Sequence, residues 1–332
     1  MSDPQWKIGV EIELLAPKGS SRLALAEALA EAHDGAVRHF LHPQAEPSEV
    51  PDLPLFHNLT QGFEVLDADA QPVARLVDDV TLQDDLDRSA APLPGWYRIV
   101  GDDPRLLRLV TRHCEPTDDL EHMLQPVAAL FGTEPEAGPG GMRRIHDGTG
   151  ASIAIGARLP GERERTAELI TPPIETDHFS RLEALLEPAR RLGFTAPLEG
   201  AVHIHFDAAP LCSAPVFRRM VQLLTEHGPG LKQRFKTNPR CRRLGPWPDA
   251  LFDVVEAPDF ADLSWPDALS RLDRVQGLSK YCDFNVMNIV GVIERKHTLE
   301  ARIFPVWMHA EPILEAATAV AELLKEATDL SV

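Results

Sequence analysis

Cysteine is scarce in this sequence, and long apolar runs are missing. The four cysteines among 332 residues are scattered, with no C-x-x-C pair of metal-binding spacing, so we expect free thiols in a reducing compartment. No run of about 18 apolar residues occurs, so we expect no membrane-spanning helix. The start, MSDPQWKIG, lacks the basic-then-apolar pattern of a secretion signal, which predicts a cytoplasmic protein.

Positive charge is also scarce. Lys and Arg number 33 against 51 Asp and Glu, which gives 33 − 51 = −18. A balance this acidic argues against general nucleic-acid binding, which needs a basic footprint. The hydrophobic fraction of 44% is enough for a sizeable core, in one large domain or two modest ones.

The common catalytic and phosphate-binding signatures are absent too. The sequence contains no G-x-x-x-x-G-K-[ST], no strand-borne G-x-G-x-x-G, no H-E-x-x-H and no G-x-S-x-G. Their absence leaves a P-loop enzyme, a dinucleotide-binding domain, a zincin protease and an α/β-hydrolase without support. The GPGG at 138–141, with Arg143 and Arg144 after it, either cradles an anion or is a plain connector.

Hydrophobic periodicity predicts strands and helices in irregular alternation, with hairpins. This pattern favours an α+β fold with an antiparallel sheet over a doubly wound parallel sheet. We expect a hairpin over 63–82, a helix over 117–131 capped by Thr117, and an irregular loop over the proline-rich 41–56.

Three of the predicted strands carry two polar residues spaced two apart. Because residues i and i+2 of a strand point to the same face, each pair projects from one side, and its apolar neighbours project from the other. The pairs are Glu11 and Glu13, His203 and His205, and Glu300 and Arg302. Each pair taken alone also fits a half-solvated strand or a surface ion pair.

Together the pairs indicate a site for metal ions and an anion. Glu168, just before Pro172-Pro173, adds a fourth carboxylate. Carboxylates suit Mg²⁺ or Mn²⁺ and tolerate an imidazole among them, so the set could hold two divalent ions. Arg302 suits phosphate, which a guanidinium binds with two parallel hydrogen bonds. This combination indicates phosphoryl transfer from a nucleotide.

Across residues 7 to about 305, the order of short motifs resembles the amidoligase family, of the glutamine synthetase and glutamate–cysteine ligase superfamily of ATP-dependent carboxylate–amine ligases. The matching motifs are Gly9-Val10-Glu11-Ile12-Glu13, Asp147-Gly148-Thr149, Glu168 with Thr171-Pro172-Pro173, His203-Ile204-His205, Lys280-Tyr281 with Asn285, and Thr298-Leu299-Glu300-Ala301-Arg302. The resemblance implies a glutamine-synthetase-like fold, in which a curved antiparallel sheet has helices packed on one face and binds ATP and Mg²⁺ on its concave face.

The resemblance also implies roles for single residues. Glu11, His203 and Glu300 would hold the metal nearer the nucleotide phosphates. Glu13 and Glu168 would hold the metal nearer the acceptor carboxylate. His205 would lie beside the phosphates, and Arg302 would contact the transferring phosphoryl group. The matches to substrate or nucleotide positions are looser, and they are Asp147, Lys280 and Asn285.

The basic loop after residue 236 and the long segment 39–135 are less well defined. Arg240, Arg242 and Arg243 either grip a substrate carboxylate or lie in a solvated loop. Where glutamine synthetases carry an arginine, this chain has Thr298, and Arg295 or Lys296 would have to substitute. We expect one catalytic domain over 1–332, with 39–135 inserted in it to shape the acceptor or amine pocket.

The predicted activity is therefore ATP-dependent amide-bond formation through an acyl phosphate, with Mg²⁺ or Mn²⁺. The expected partners are a small-molecule or peptide acid and an amine, with no nucleic acid and no membrane. A metal-dependent phosphoester hydrolase using the same cluster is one alternative, and a non-catalytic nucleotide-binding relative is another. The sequence does not define the oligomeric state.

Overall fold

The computed structural model describes residues 4–47, 55–91, 93–101, 103–241, 243–291 and 296–329. Its strands are β1 (Ile8–Leu15), β2 (Ala36–Pro47), β3 (Leu55–Leu66), β4 (Pro72–Val77), β5 (Tyr97–Gly101), β6 (Glu136–Ala137), β7 (Arg143–His146), β8 (Ser152–Arg158), β9 (Thr166–Ile170), β10 (Ala201–Asp207), β11 (Phe284–Asn285) and β12 (Thr298–Pro305). Its α-helices are α1 (Arg22–Ala32), α2 (Pro104–His113), α3 (Gln125–Leu130), α4 (His178–Arg191), α5 (Ala214–Phe235), α6 (Asp249–Val255), α7 (Trp265–Leu272), α8 (Met287–Val290) and α9 (Ala310–Thr328). Among these helices, none combines the length and the apolar character needed to cross a membrane.

The chain divides into two compact units. The first unit comprises Met1–Glu13, Ile170–Glu187 and Leu198–Val332, and the second comprises Leu14–Leu169 and Pro188–Pro197. The chain passes from one unit to the other within β1, within β9 and within α4. The predicted insertion, 39–135, lies within the second unit; its role, and the single catalytic domain over 1–332, stay predictions.

The first unit is built on an antiparallel ladder in the order β11-β12-β10-β1. Val202, Ile204 and Phe206 alternate along β10, and none of their surface is exposed. Helix α9 packs on β10 and helix α5 packs on β12. Helices therefore cover the apolar face of this ladder, as the two-residue period of the strands predicts.

A bulge between β10 and β12 keeps that face apolar. Val202 pairs with Phe304, but Ile204 pairs with Ala301, so two steps on β10 match three steps on β12. The extra residue on β12 lets both Phe304 and Ala301 lie opposite apolar residues of β10. A regular strand would have placed Phe304 on the same face as Glu300.

The second unit contains a larger antiparallel ladder. Strand β3 pairs with β2 along its whole length, and on its other side with β4 and then β5, from which β8, β7 and β6 continue. Helices α2 and α3 pack on one face through Leu107, Val110 and Val127, against Leu41 and Leu59. Both units are mixed helix and strand with antiparallel pairing, which confirms the predicted α+β class.

Two predictions about local structure are wrong. Residues 41–47 are strand rather than irregular loop, and 48–54 lie outside the described residues. Strand β2 tolerates Pro43 because it lies at an edge, pairing within the described chain with β3 alone. The helix predicted from Thr117 begins only at Gln125, because Pro126 fits the first turn of a helix but not its interior.

One buried carboxylate of the second unit depends on arginines from the two flanking strands. Arg38 of β2 and Arg75 of β4 both lie opposite Glu64 of β3. Arg38 donates a hydrogen bond to Glu64, and Arg75 Nη2 lies 2.7 Å from Glu64 Oε1. Burial by itself would raise the pKa of Glu64, but the hydrogen bonds from Arg75 and Arg38 outweigh it and lower the pKa.

Because folding lowers the pKa of Glu64, its ionised carboxylate should stabilise the folded state at pH values above the unfolded-state pKa of about 4.5. This stabilisation should disappear as the pH falls. We predict that Glu64→Gln lowers the free energy of unfolding by about 1 kcal/mol at pH 7, as for ion pairs with solvent-exposed arginines. Below about pH 4 the difference should shrink toward zero. Urea unfolding at several pH values measures the difference in free energy of unfolding, with exposed Glu31→Gln as the control. A difference that does not change with pH would contradict the role of the ionised Glu64.

Candidate active site

Strand register brings the predicted pairs together in the first unit. Glu11 on β1 lies opposite His203 on β10, and His205 lies opposite Glu300 on β12. Asn285 on β11 lies opposite Glu300 from the other side. These residues come from four adjacent strands and share the face that the helices leave open, so the ladder gathers them although they are far apart in sequence.

The two imidazoles lie between the carboxylates. His205 Nε2 is 3.3 Å from Glu11 Oε1, and His203 Nδ1 is 3.6 Å from Glu11 Oε2. His203 Nδ1 is also 3.3 Å from Glu300 Oε1, and its Nε2 is 3.7 Å from Glu13 Oε1. All five residues are less than a tenth exposed. The arrangement is therefore one continuous cluster rather than three separate pairs.

Backbone contacts fix the strand that carries the two glutamates. The Glu13 carboxylate accepts a hydrogen bond of 2.8 Å from the backbone N–H of Ala201. Thr171, in the motif before the two prolines, accepts from the N–H of Val10 through its hydroxyl, and its own N–H donates to the Val10 carbonyl. The Thr-Pro-Pro motif thus anchors β1 beside the cluster.

The surroundings of Glu11 and Glu300 favour the ionised form of both carboxylates. Burial by itself would raise the pKa of Glu11, but the charge of His205 and the contacts of both imidazoles hold it well below its usual range. Burial would also raise the pKa of Glu300, but the positive charges of His203, His205 and Arg302 outweigh burial and lower this pKa. Burial lowers the pKa of His205, and the Glu11 charge more than reverses this. Ionised carboxylates are the form that a divalent cation binds.

Three of these residues could hold one metal ion. A carboxylate oxygen of Glu11, a ring nitrogen of His205 and a carboxylate oxygen of Glu300 all lie within 4.8 Å of one another. The Nε2 atom of His205 is buried and lies 3.3 Å from Glu11 Oε1, but it has no well-aligned hydrogen bond among the described residues. Two carboxylates and an imidazole form a donor set that Mg²⁺ or Mn²⁺ accepts. The residues present therefore fit a divalent cation.

The structure does not separate the two histidines as sharply as the resemblance implies. The resemblance places His203 at the metal and His205 at the phosphates, but both lie within 4 Å of Glu11. The triad of possible metal donors within the first unit contains His205 and not His203. The individual roles of the two imidazoles stay predictions.

Arg302 lies in the same cluster. Its Nη1 donates a hydrogen bond of 2.6 Å to Glu300 Oε1, and Asn285 Nδ2 donates one of 2.6 Å to Glu300 Oε2. The Nε atom of Arg302 is buried and has no hydrogen-bond partner among the described residues. A buried guanidinium N–H without a partner is costly, which is expected where an anion is to be bound.

The other predicted binding residues lie in separate places. Arg243 and Lys280 both lie over the ring of Tyr281, at 5.2 and 5.4 Å from its centroid. Arg240 is exposed, in a turn where its N–H donates to the Asn238 side chain. Arg242 and Arg295 lie outside the described residues.

Asp147 and Glu168 belong to the second unit. The Asp147 carboxylate accepts hydrogen bonds from the N–H groups of Thr149 and Ala151, so it stabilises its own turn. The same residue is 2.7 Å from the Thr149 hydroxyl. Glu168 is half-buried on β9. The ligand-binding roles of both residues stay predictions.

Sequence reasoning missed how Thr298 and Asn288 position His205. The Thr298 hydroxyl is 3.0 Å from His205 Nδ1 and accepts a hydrogen bond from Asn288 Nδ2 at 3.3 Å. Thr298 is two residues before Glu300, so the strand period could have placed it on the same face. Lys296, considered as a substitute for the missing arginine, has its ammonium 3.0 Å from Glu11 Oε1.

The sequence model of one protein family, described as "putative amidoligase enzyme", matches residues 4–323. The match covers nearly the whole chain, and the chain belongs to this family. A search of the curated proteins and of the solved structures finds no match. The family match supports a ligase and gives no support to the hydrolase or to the non-catalytic alternative.

We predict that Thr298→Val weakens Mn²⁺ binding by about tenfold or more, because a metal-ligating imidazole depends on the partner of its other ring nitrogen. Calorimetry or electron paramagnetic resonance of the full chain measures the affinity directly. Thr225→Val, which removes a hydroxyl from α5, is the matched control and should bind Mn²⁺ normally. Unchanged affinity in Thr298→Val would contradict the positioning role.

Proposed function

We propose that the chain is an ATP-dependent carboxylate–amine ligase that forms an amide bond through an acyl phosphate. One observation carries the proposal: a buried cluster of ionised carboxylates and imidazoles with Arg302 beside it, in a chain of the amidoligase family. In the first half-reaction the γ-phosphoryl group of ATP passes to a substrate carboxylate, and ADP stays bound beside the acyl phosphate until the amine has reacted. In the second an amine attacks the acyl carbon, and phosphate leaves.

Both substrates of the first half-reaction are anions and repel each other. Divalent cations, when bound, neutralise the phosphate oxygens and the acceptor carboxylate. We assign Glu11, His203 and Glu300 to the metal nearer the phosphates, and Glu13 and Glu168 to the metal nearer the acceptor. Of these ligands, Glu11, Glu13 and Glu300 belong to the first unit, and their negative charge would attract the metal ions.

Arg302 has the properties needed to stabilise the transferring phosphoryl group. Glu300 fixes its guanidinium through one hydrogen bond at Nη1, and its Nε–H is left without a partner among the described atoms. A pre-positioned cation in a buried site stabilises developing charge more than a mobile surface arginine would. We assign Lys280 and Asp147 to the nucleotide, and Asn285, Arg240 and Arg243 to the substrates. His205 would lie beside the phosphates as a further ligand of the metal that Glu11 and Glu300 hold.

We further propose that the fold is glutamine-synthetase-like, with the cluster on a concave sheet face. Two features of the first unit support this: its strands are antiparallel, and α5 and α9 cover only the apolar side. The substrates are a small-molecule or peptide acid and an amine, used in the cytoplasm, and residues 39–135 shape the pocket that selects them.

The proposal predicts that ADP is released only when an acid and an amine are both present. A pairwise screen of amino acids and polyamines with ATP and Mg²⁺ or Mn²⁺ measures it. ADP release without an amine, or hydrolysis of simple phosphoesters, would contradict a ligase.

With an active pair in hand, Glu300→Gln should lower ADP release by at least about a hundredfold, since it removes a metal ligand and the partner of Arg302. The exposed Glu322→Gln on α9 should leave the rate unchanged. Circular dichroism checks that both variants keep the fold. Normal turnover by Glu300→Gln would show that the assigned metal site is wrong.

A further inference from the structure

Permanent positive charges lie on both carboxylates of the candidate metal triad. The Lys296 ammonium donates a hydrogen bond of 3.0 Å to Glu11 Oε1. Arg302 Nη1 donates one of 2.6 Å to Glu300 Oε1. The third carboxylate of the cluster in the first unit belongs to Glu13, which accepts a hydrogen bond from a neutral backbone N–H. At least two of the three negative charges are therefore matched by a lysine and an arginine of the chain itself.

The lysine and the arginine are held differently. The Arg302 side chain is only 13% exposed, and its backbone N–H donates to the Asp283 carbonyl in the strand ladder. The Lys296 side chain is 57% exposed and lies just before β12, although its partner Glu11 is buried. A long side chain that is mostly in water leaves an ion pair at little cost. Lys296 is thus the cation of the cluster that is able to move.

The position of the Lys296 ammonium opposes a divalent cation at the triad. The ammonium contacts the same oxygen of Glu11 that lies 3.3 Å from His205 Nε2. Glu11 and His205 are both possible ligands of one metal ion. A metal ion held by these two residues would therefore lie close to a like charge, and charges a few ångströms apart repel each other strongly in a partly buried site.

A phosphate group would remove this repulsion. A lysine ammonium is a compact charge with three rotatable donors, which suits it to phosphate oxygens. A Lys296 side chain paired with phosphate no longer neutralises Glu11, so the full charge of the carboxylate is then available to a cation. Two ligands that favour the same position of a side chain bind cooperatively, and their coupling is reciprocal.

We propose that Lys296 couples metal binding to nucleotide binding. It pairs with Glu11 in the absence of nucleotide and with a phosphate oxygen once nucleotide binds, which leaves Glu11 to the metal ion. The inference rests on the proposed ligase function for the identity of the anion, whereas the competition at Glu11 follows from the contact alone. Arg302 has a different role, because it stays on Glu300.

Two binding measurements on the full-length chain test the proposal. Without nucleotide, Lys296→Met should bind Mn²⁺ at least about fivefold more tightly in electron paramagnetic resonance titrations, because the competing ammonium is gone. In EDTA, the same variant should bind ADP about fivefold more weakly by calorimetry, because one charged phosphate contact is lost. A merely structural role would weaken both. Lys325→Met, exposed on α9, is the matched control and should change neither affinity.

Other results would overturn the proposal. Unchanged or weaker Mn²⁺ binding by Lys296→Met would exclude competition at Glu11. Tighter Mn²⁺ binding with unchanged ADP binding would exclude the phosphate contact, and with it the coupling. Thermal unfolding of each variant confirms that the chain is folded. Should no acid and amine pair release ADP, the ligase would be wrong, but the Mn²⁺ titration would still report on Lys296 and Glu11, so the two failures are distinguishable.

Discussion

Buried negative charge is the constraint on which the site depends. Glu11 and Glu300 are 7% and 4% exposed, and an ionised carboxylate taken out of water is destabilising unless opposite charge and hydrogen bonds compensate. His205 and Arg302 provide this compensation directly, and Asn285 adds a neutral hydrogen bond to Glu300. Such a cluster contributes little to stability, but its ionised carboxylates can bind cations. This capacity to bind cations is the basis of the proposed ligase activity.

The fold serves this constraint by separating two faces of the first-unit ladder. Apolar residues of β10 and β12 face α5 and α9, while the carboxylates and imidazoles face away. The bulge that pairs Ile204 with Ala301 keeps the separation intact, since it returns Phe304 to the apolar side. The bulge thus keeps Phe304 away from the polar face. Strict alternation of side chains along β12 would have placed Phe304 beside Glu300 and Arg302.

Much of the site followed from the sequence because a strand has a period of two. That period alone placed Glu300 and Arg302 on one face, and Arg302 does contact Glu300. Thr298 follows the same period, but its contact with His205 depends on the register between β10 and β12, which no local pattern defines. The strand β2 was missed because its prolines signal a loop unless the strand is known to lie at an edge. The pairing of Glu64 with arginines from two other strands depended on long-range register in the same way.

The central claim is that the two imidazoles, with Glu11 and Glu300, bind one divalent cation of the site. The most direct measurement is the paramagnetic broadening of histidine ring signals in nuclear magnetic resonance spectra during Mn²⁺ titration. The account predicts that the signals of His203 and His205 broaden first and together at substoichiometric Mn²⁺, while that of the exposed His309 persists. Uniform broadening of all histidines, or broadening of His309 before the pair, would contradict it.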